Sequence, residues 1–283
     1  VKIVGLGRAG CGLAKAFSKF PQYETVGIDC EKEADITIKK RKSHEEYDTH
    51  FPNLKRKLKF TGEEVLLITS GVGKISGGVL RLLEQLQNNK VTILYIQSDL
   101  SLASEVQKLR DKIVSNVLQE YARSGQLEAI WILENQRVEK GIGEVPIMGY
   151  YEVLNQAIAN MIHMINVFKN SEPVIGNFIT PSNLSRIATI GILDIEGSTE
   201  RWFYDLTNAR DVVYYYGINE AELRDDGTLF KKITTYVKSK LDDKMNVSYG
   251  VYKTTYDQKY CYCIKYSSMV QSFIELIDDQ DIS

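Results

Sequence analysis

The 283-residue chain is 43% hydrophobic and 25% charged, with a formal net charge of −2. That is the profile of a globular protein, and it gives no general pull toward nucleic acid or anionic membrane. No apolar run is long enough to span a bilayer and no signal peptide is expected, so neither nucleic acid nor membrane is expected as a partner. The four cysteines (Cys11, Cys30, Cys261 and Cys263) show neither disulfide nor zinc spacing, and a cytoplasmic location is expected.

Residues 1–5 (VKIVG) and 24–29 (ETVGID) read as strands around a helix at about 10–20, a βαβ start that makes parallel sheet. Residues 31–60 are polar, basic and irregular. They predict one short strand and a surface connection. EVLLIT at 64–69 is a buried strand by its continuous apolar run. GGVLRLLEQL at 77–86 is a helix, VTILYIQ at 91–97 a strand, and 101–123 a helix. In that helix Leu102, Val106, Leu109, Ile113, Val117 and Leu118 form the expected core stripe. AIWILEN at 129–135 is another strand, and a long amphipathic helix runs over about 149–169. Loop signals follow at Asn170, Ser171, Pro173, Gly176 and Pro181.

Beyond 200 the texture changes to helices alternating with tyrosine-rich strands at 211–218, 245–254 and 259–268, with a turn at 225–227 and a helix at 228–240. Cys261 and Cys263, two apart in an alternating segment, share one strand face. The expected class is α/β: a parallel Rossmann-like nucleotide-binding domain (1–147), a central connecting helix (148–170) and a smaller α+β domain (171–283).

Two glycine-rich turns carry the chemistry. Each follows an apolar run and precedes a helical pattern, a layout that aims backbone N–H groups and a helix N-terminus at one spot and so favours a phosphate. The first holds Gly5, Gly7 and Gly10 as G-x-G-x-x-G, with Asp29 ending the next strand. By itself it matches a dinucleotide fingerprint with an acid for the ribose. The second holds Ser70, Gly71, Gly73, Lys74, Ser76, Gly77 and Gly78. It is not a Walker loop, because Ile68 stands where the first glycine belongs and Ile75 where a magnesium-binding Ser or Thr is required. Two such turns in one domain predict a nucleotide held from two sides.

The order of elements resembles the tubulin/FtsZ superfamily over most of the chain, as a divergent FtsZ- or TubZ-like protein. Ala9-Gly10-Cys11-Gly12 resembles the glycine-cysteine-glycine stretch of tubulins, and residues 73–79 resemble the loop that wraps the phosphates. LEN at 133–135 resembles the segment whose asparagine binds guanine. The long helix resembles the family's central helix. Ala209-Arg210 with DVVYYYGI resembles ARGVLVNI of FtsZ, and residues 246–266 resemble the closing hairpin.

The resemblance implies GTP or GDP, with or without Mg2+, bound by Gly7, Gly10, Cys11, Gly12, Gly71, Gly73, Lys74, Ser76, Gly77, Asn135 and either Asn155 or Asn160. It also implies a head-to-tail homopolymer, a geometry that is heterologous and open. Glu105 falls near the family's ribose register.

Two departures stand out. After the central helix the family places N-x-D-x-x-D, whose acids position the attacking water in the next subunit's pocket. Here Asn177 is kept as the candidate catalytic residue, but Ile179 and Ser182 occupy the acidic places. An isoleucine side chain accepts no hydrogen bond and serine carries no charge, so hydrolysis is expected to be weak or absent. No glycine-rich loop lies between Asp29 and Val65, where the family senses the γ-phosphate; the basic stretch 39–60 stands in its place. The segment ELIDDQDIS is short and acidic, and no long partner-recruiting extension is expected.

Two rival readings remain at this point. One is a Rossmann oxidoreductase with a nicotinamide cofactor and Asp29 on the ribose, which leaves the second turn without a role. The other is a tubulin-like binding module without nucleotide. His163 is expected to be a packed helix histidine, and His44 and His50 lack metal partners at useful spacing.

Overall fold

The computed structural model describes residues 1–179, 181–242 and 244–272. The acidic segment at 275–283 therefore lies outside the described residues. The first half alternates strands and helices: β1 (Lys2–Leu6), α1 (Gly7–Phe17), β2 (Glu24–Asp29), β3 (Ile36–Thr37), α2 (His44–Thr49), α3 (Lys55–Leu58), β4 (Glu64–Thr69), a 3-10 turn (Lys74–Gly78), α4 (Val79–Gln85), β5 (Lys90–Gln97), α5 (Glu105–Arg123), β6 (Ala129–Glu134) and α6 (Asn135–Ile142). After α7 (Tyr150–Lys169) come β7 (Ile175–Asn177), β8 (Ile187–Asp194), β9 (Thr199–Trp202), β10 (Ala209–Asn219), α8 (Glu220–Asp225), α9 (Leu229–Ser239), β11 (Asn246–Thr254) and β12 (Tyr260–Ser267).

The strands form one sheet in the order β3-β2-β1-β4-β5-β6-β8-β12-β10-β11-β7, with β9 on β8. From β3 to β6 every pairing is parallel, and β6 meets β8 through only two residue pairs. The rest is mixed: β12 is antiparallel to β8 and β10, while β10 and β11 run parallel. The apolar runs explain the parallel half. Val65 and Leu67 of β4 face one core cluster and Leu66 and Ile68 the other, as strands covered on both faces require. The twenty-residue α7, about 30 Å long, buries Leu154, Ile158, Met161, Ile162, Ile165 and Phe168 in a cluster shared by both halves of the sheet. Cys261 and Cys263 do share a face, buried in a third cluster with Ile233 and Val237 of α9.

Four expectations need correction. Residues 31–60 hold the expected short strand but also α2 and α3, because Tyr47, Leu54, Leu58 and Phe60 are buried anchors and Ser43 caps α2 by accepting from Glu46 N–H. The short strand β7 lies among the loop signals of 170–181, paired with β11, and β8 fills the unassigned stretch beyond them, its run IATIGILD central in the sheet and mostly buried. The segments β11 and β12 are not a hairpin, because β10 lies between them and pairs with both. Lastly, the stripe on α5 is split, with Leu118 in the core and the amino-terminal members outside it. Val106, Leu109 and Ile113 are exposed, and the buried face is Asp111, Val114, Ser115, Leu118, Gln119 and Ala122.

Candidate functional site

The two glycine turns leave the carboxyl ends of β1 and β4, which are parallel neighbours. The first is shaped by backbone contact. A Cβ on Gly5 would collide with Gly10 O, and one on Gly10 with Ile68 O, so α1 crosses β1 and β4 at a distance only glycine permits. Gly7 opens α1 at φ 76°, in the left-handed region. A Cβ there would lie 2.7 Å from the Ile75 side chain, so the two turns meet. On the far side of α1, a Cβ on Gly12 would lie 3.0 Å from Asn155 Nδ2. Cys11 is half-buried, with Sγ 3.7 Å from Gly5 O. Burial, reinforced by the Asp29 charge, pushes its thiol up to about 12, so it is a packing and hydrogen-bonding group rather than a nucleophile.

The second turn is braced from inside. Ser76 is buried and its hydroxyl lies 2.9 Å from Gly71 O and 2.7 Å from Gly73 O. That hydroxyl is spent on the turn. From α5, Arg110 donates to Val72 O at 2.6 Å. The buried Asp111 carboxylate accepts from Tyr95 Oη at 2.6 Å and from the Gly71 N–H. Burial raises the Asp111 pKa while those two hydrogen bonds oppose the shift. A Cβ on Gly71 would strike the Tyr95 hydroxyl. Gly77 and Gly78 are closed off, because a Cβ on Gly77 would meet His44 O and one on Gly78 the Phe51 ring. The stretch 43–51 therefore covers that half of the turn. His44 itself has a lowered pKa, from burial and then from the nearby Arg110. Gly73 and Lys74 remain exposed, with nothing nearer to a Gly73 Cβ than Ile75 at 3.8 Å.

The other candidates divide. Asn135 is the first residue of α6 at the carboxyl end of β6. It stands two strand spacings from β4, roughly 10 Å. Asn155 sits beside the first turn, as above. Asn160 is exposed, accepts from Gln156 Nε2, and lies about 7.5 Å further along α7. That is toward His163, which stacks on Phe20 at 4.0 Å. Glu105 pairs with Lys108 at the start of α5. Asp29 is buried and its Oδ1 accepts from Cys30 N–H at 2.6 Å. Asn177 lies far from these groups in strand order, exposed on the edge strand β7 opposite Tyr249. Beside it, Ile179 N–H donates to Ser248 Oγ at 2.8 Å.

Sequence reasoning missed Tyr95, Arg110 and Asp111. The available signal was an acidic and a basic residue adjacent on a helix beside the turn. It also missed Thr69 and Gln97, which end β4 and β5. Thr69 Oγ1 and Gln97 Oε1 are buried without a partner among the described residues. These orphaned atoms at the carboxyl ends, the meeting of the turns and the exposed Gly73-Lys74 fit a phosphorylated ligand lying across β1, β4 and β6. Gly77 and Gly78 are buried against His44 and Phe51 on that side of the turn. Among the described residues no group of three His, Cys, Asp or Glu could hold a metal, and no helix is long and apolar enough to cross a membrane.

No protein-family profile matches the sequence, and no curated relative does. Solved structures do match the fold. A GTPγS-form protofilament of TubZ from Bacillus thuringiensis serovar israelensis superposes with TM-score 0.73 at 17% identity, over 95% of this chain and 87% of that one. The GTPγS-bound protofilament of CetZ2 from Haloferax volcanii gives 0.69 at 14%, over 96% and 94%. An empty FtsZ dimer from M. jannaschii gives 0.67 at 12%, over 94% and 87%. With its largely parallel sheet, its two turns and its long α7, the chain has the tubulin/FtsZ fold.

Proposed function

We propose that the protein binds a guanine nucleotide across the carboxyl ends of β1, β4 and β6 and assembles head to tail with copies of itself. The observation that carries this reading is the meeting of the two glycine turns, Gly7 against Ile75, with Asn155 beside Gly12. In this reading Gly10, Cys11 and Gly12 bound one side of the nucleotide, and Gly71, Gly73 and Lys74 meet its phosphates. Asn135 and Asn155 reach the base, and Ser76 and Gly77 shape the turn. Any Mg2+ rides on the phosphates. The matched TubZ and CetZ2 structures are GTPγS-form or GTPγS-bound protofilaments, and TubZ also forms two- and four-stranded filaments; that supports both halves of the proposal. The division into a nucleotide unit (1–147), a linking helix (148–170) and a second unit (171–283) belongs to the same proposal.

Hydrolysis is weak or absent. In the stretch after α7, Ile179 offers no acceptor and Ser182 no charge, so Asn177 is left without the carboxylates that aim water. Positioning is most of phosphoryl-transfer catalysis. The covered half of the second turn favours one alternative, a binding module of the same fold that has lost its nucleotide.

Titration of the purified protein with GTP, GDP and NADH, with light scattering followed in parallel, tests the reading. Guanine nucleotide binding with scattering is expected. NADH binding without a response to GTP would overturn it, and no binding by any of the three would favour the module.

A further inference from the structure

Exposed apolar side chains gather at both ends of the sheet. At the carboxyl end of the parallel strands, Leu102 follows β5, and Ile147, Met148 and Tyr151 stand where α7 begins. Ile147 is 94% exposed and Met148 91%. The start of α7 is fixed at this end. Tyr150 Oη donates to Glu139 Oε2 of α6 at 2.6 Å, and Asn155 stands beside Gly12. Single exposed apolar residues need no explanation, but a cluster does.

The second set lies at the opposite end. Helix α7 runs about 30 Å and finishes at Lys169, whose Nζ sits 5.0 Å from the centroid of the Trp131 ring in the first half of β6. Beyond it, Ile179 N–H donates to Ser248 Oγ near the start of β11, and Arg186 Nη1 donates to Leu127 O and Glu128 O just before β6. Strand directions make these one end. Strands β6 and β8 are parallel, β12 is antiparallel to β8 and to β10, and β10 runs with β11. This end presents Phe178, Ile179 and Leu184 to solvent, Leu184 being 69% exposed. It is also nearly free of charge. The stretch 173–186, PVIGNFITPSNLSR, has no Asp or Glu, and its one cation, Arg186, donates to the carbonyls of Leu127, Glu128 and Asn183.

One chain cannot cover one set with the other across about 30 Å. A second copy can, and head on tail is a heterologous contact that leaves both far ends open. We infer that, in the head-to-tail assembly proposed above, the apolar set around Met148 of one copy covers the set around Leu184 of the next, and that this contact does not sense the γ-phosphate. The inference rests on that reading and adds its regulation. A nucleotide's charge acts on a neighbouring copy through charged groups that face it, and the stretch 173–186 brings no free one. Apolar burial is not screened by salt and strengthens on warming from the cold. Assembly therefore proceeds with GDP as with GTP, withstands salt and improves with warming.

Two arms test this on the full chain. In the first, pelleting with GTP or GDP at low and high NaCl should give critical concentrations within about threefold of one another. Assembly that needs GTP, or that salt dissolves, overturns the inference and leaves the head-to-tail reading standing. No assembly under any condition removes that reading, and the inference with it. In the second arm, Ile147→Asp with Met148→Asp blocks one end and Leu184→Asp the other. All three side chains are exposed, so urea midpoints should match the parent. Each variant alone should raise the critical concentration by more than about tenfold, because a charge replaces a buried apolar group. Mixed in equal amounts, the two should sediment as 1:1 dimers and nothing longer, since one sound head then meets one sound tail. Either variant polymerising like the parent, or a mixture that stays monomeric where the parent assembles, overturns the inference.

Discussion

In the first glycine turn, Gly5 and Gly10 press α1 onto β1 and β4; in the second, Gly77 and Gly78 make room for a different piece of chain, His44 to Phe51. The two turns therefore use the same residue for different ends. One is built into the sheet crossing and cannot move without the core. The other is closed on one side by a separate segment and held from beneath by Tyr95, Arg110 and Asp111 of β5 and α5. A glycine-rich motif reports that backbone comes close to something, and only the neighbours say whether that something is a ligand or the protein itself.

Substitution at the glycines should separate the turns most sharply. Gly10→Ala drives a Cβ into Ile68 O, which is backbone and cannot swing away; a loss of about 3 kcal/mol is expected in urea unfolding. Gly77→Ala meets His44 O and should cost less, about 1–2 kcal/mol, because residues 43–51 can lift off the turn. Hydrogen exchange should show α2 opening in that variant while α1 stays protected. Gly73→Ala makes only an ordinary contact, 3.8 Å to the Ile75 side chain, so its stability should stay within about 0.5 kcal/mol of the parent while nucleotide affinity falls. Equal destabilisation by Gly10→Ala and Gly73→Ala would erase the distinction between the turns.

Beneath the second turn, Tyr95→Phe removes the hydroxyl that Asp111 accepts from and should cost about 1–3 kcal/mol. The same pair sets a pH dependence. Burial holds the folded-state pKa of Asp111 above 3.8. The stability tied to its proton is therefore complete below the unfolded pKa and is lost as pH rises through the folded one. Asp111→Asn should flatten that part of the profile, measured as urea midpoints from mildly acidic to neutral pH. The smallest effect concerns chemistry. Ile179→Asp with Ser182→Asp should raise phosphate release from GTP once filaments form. Assembled filaments with no gain would move the catalytic loop elsewhere.

The parallel half of the sheet was legible because β1, β4, β5 and β6 are continuous apolar runs bounded by turn residues, and α7 because its apolar period holds for twenty residues. Strand β8 was not, since its run follows a stretch dense in loop signals and two of its partners, β12 and β6, are distant in sequence, only β9 being local. The hairpin assumed for β11 and β12 failed for the same reason: adjacency along the chain does not fix pairing when β10 can slot between. On α5 the stripe runs from the exposed Val106, Leu109 and Ile113 to the buried Leu118. Periodicity locates a stripe but cannot say which face meets the sheet when Asp111, Ser115 and Gln119 have partners inside. Within the site, Asn155 and Asn160 were equivalent in sequence, and only the crossing of α7 over α1 sets Asn155 at Gly12.

Hydrogen exchange of the full chain with and without GTP tests the shared site most directly. The account predicts that amides at residues 7–12, at 71–76 and at the start of α6 slow together, over the same range of nucleotide concentration. Slowing at residues 7–12 alone, or only with NADH, would mean that the two turns do not hold one ligand.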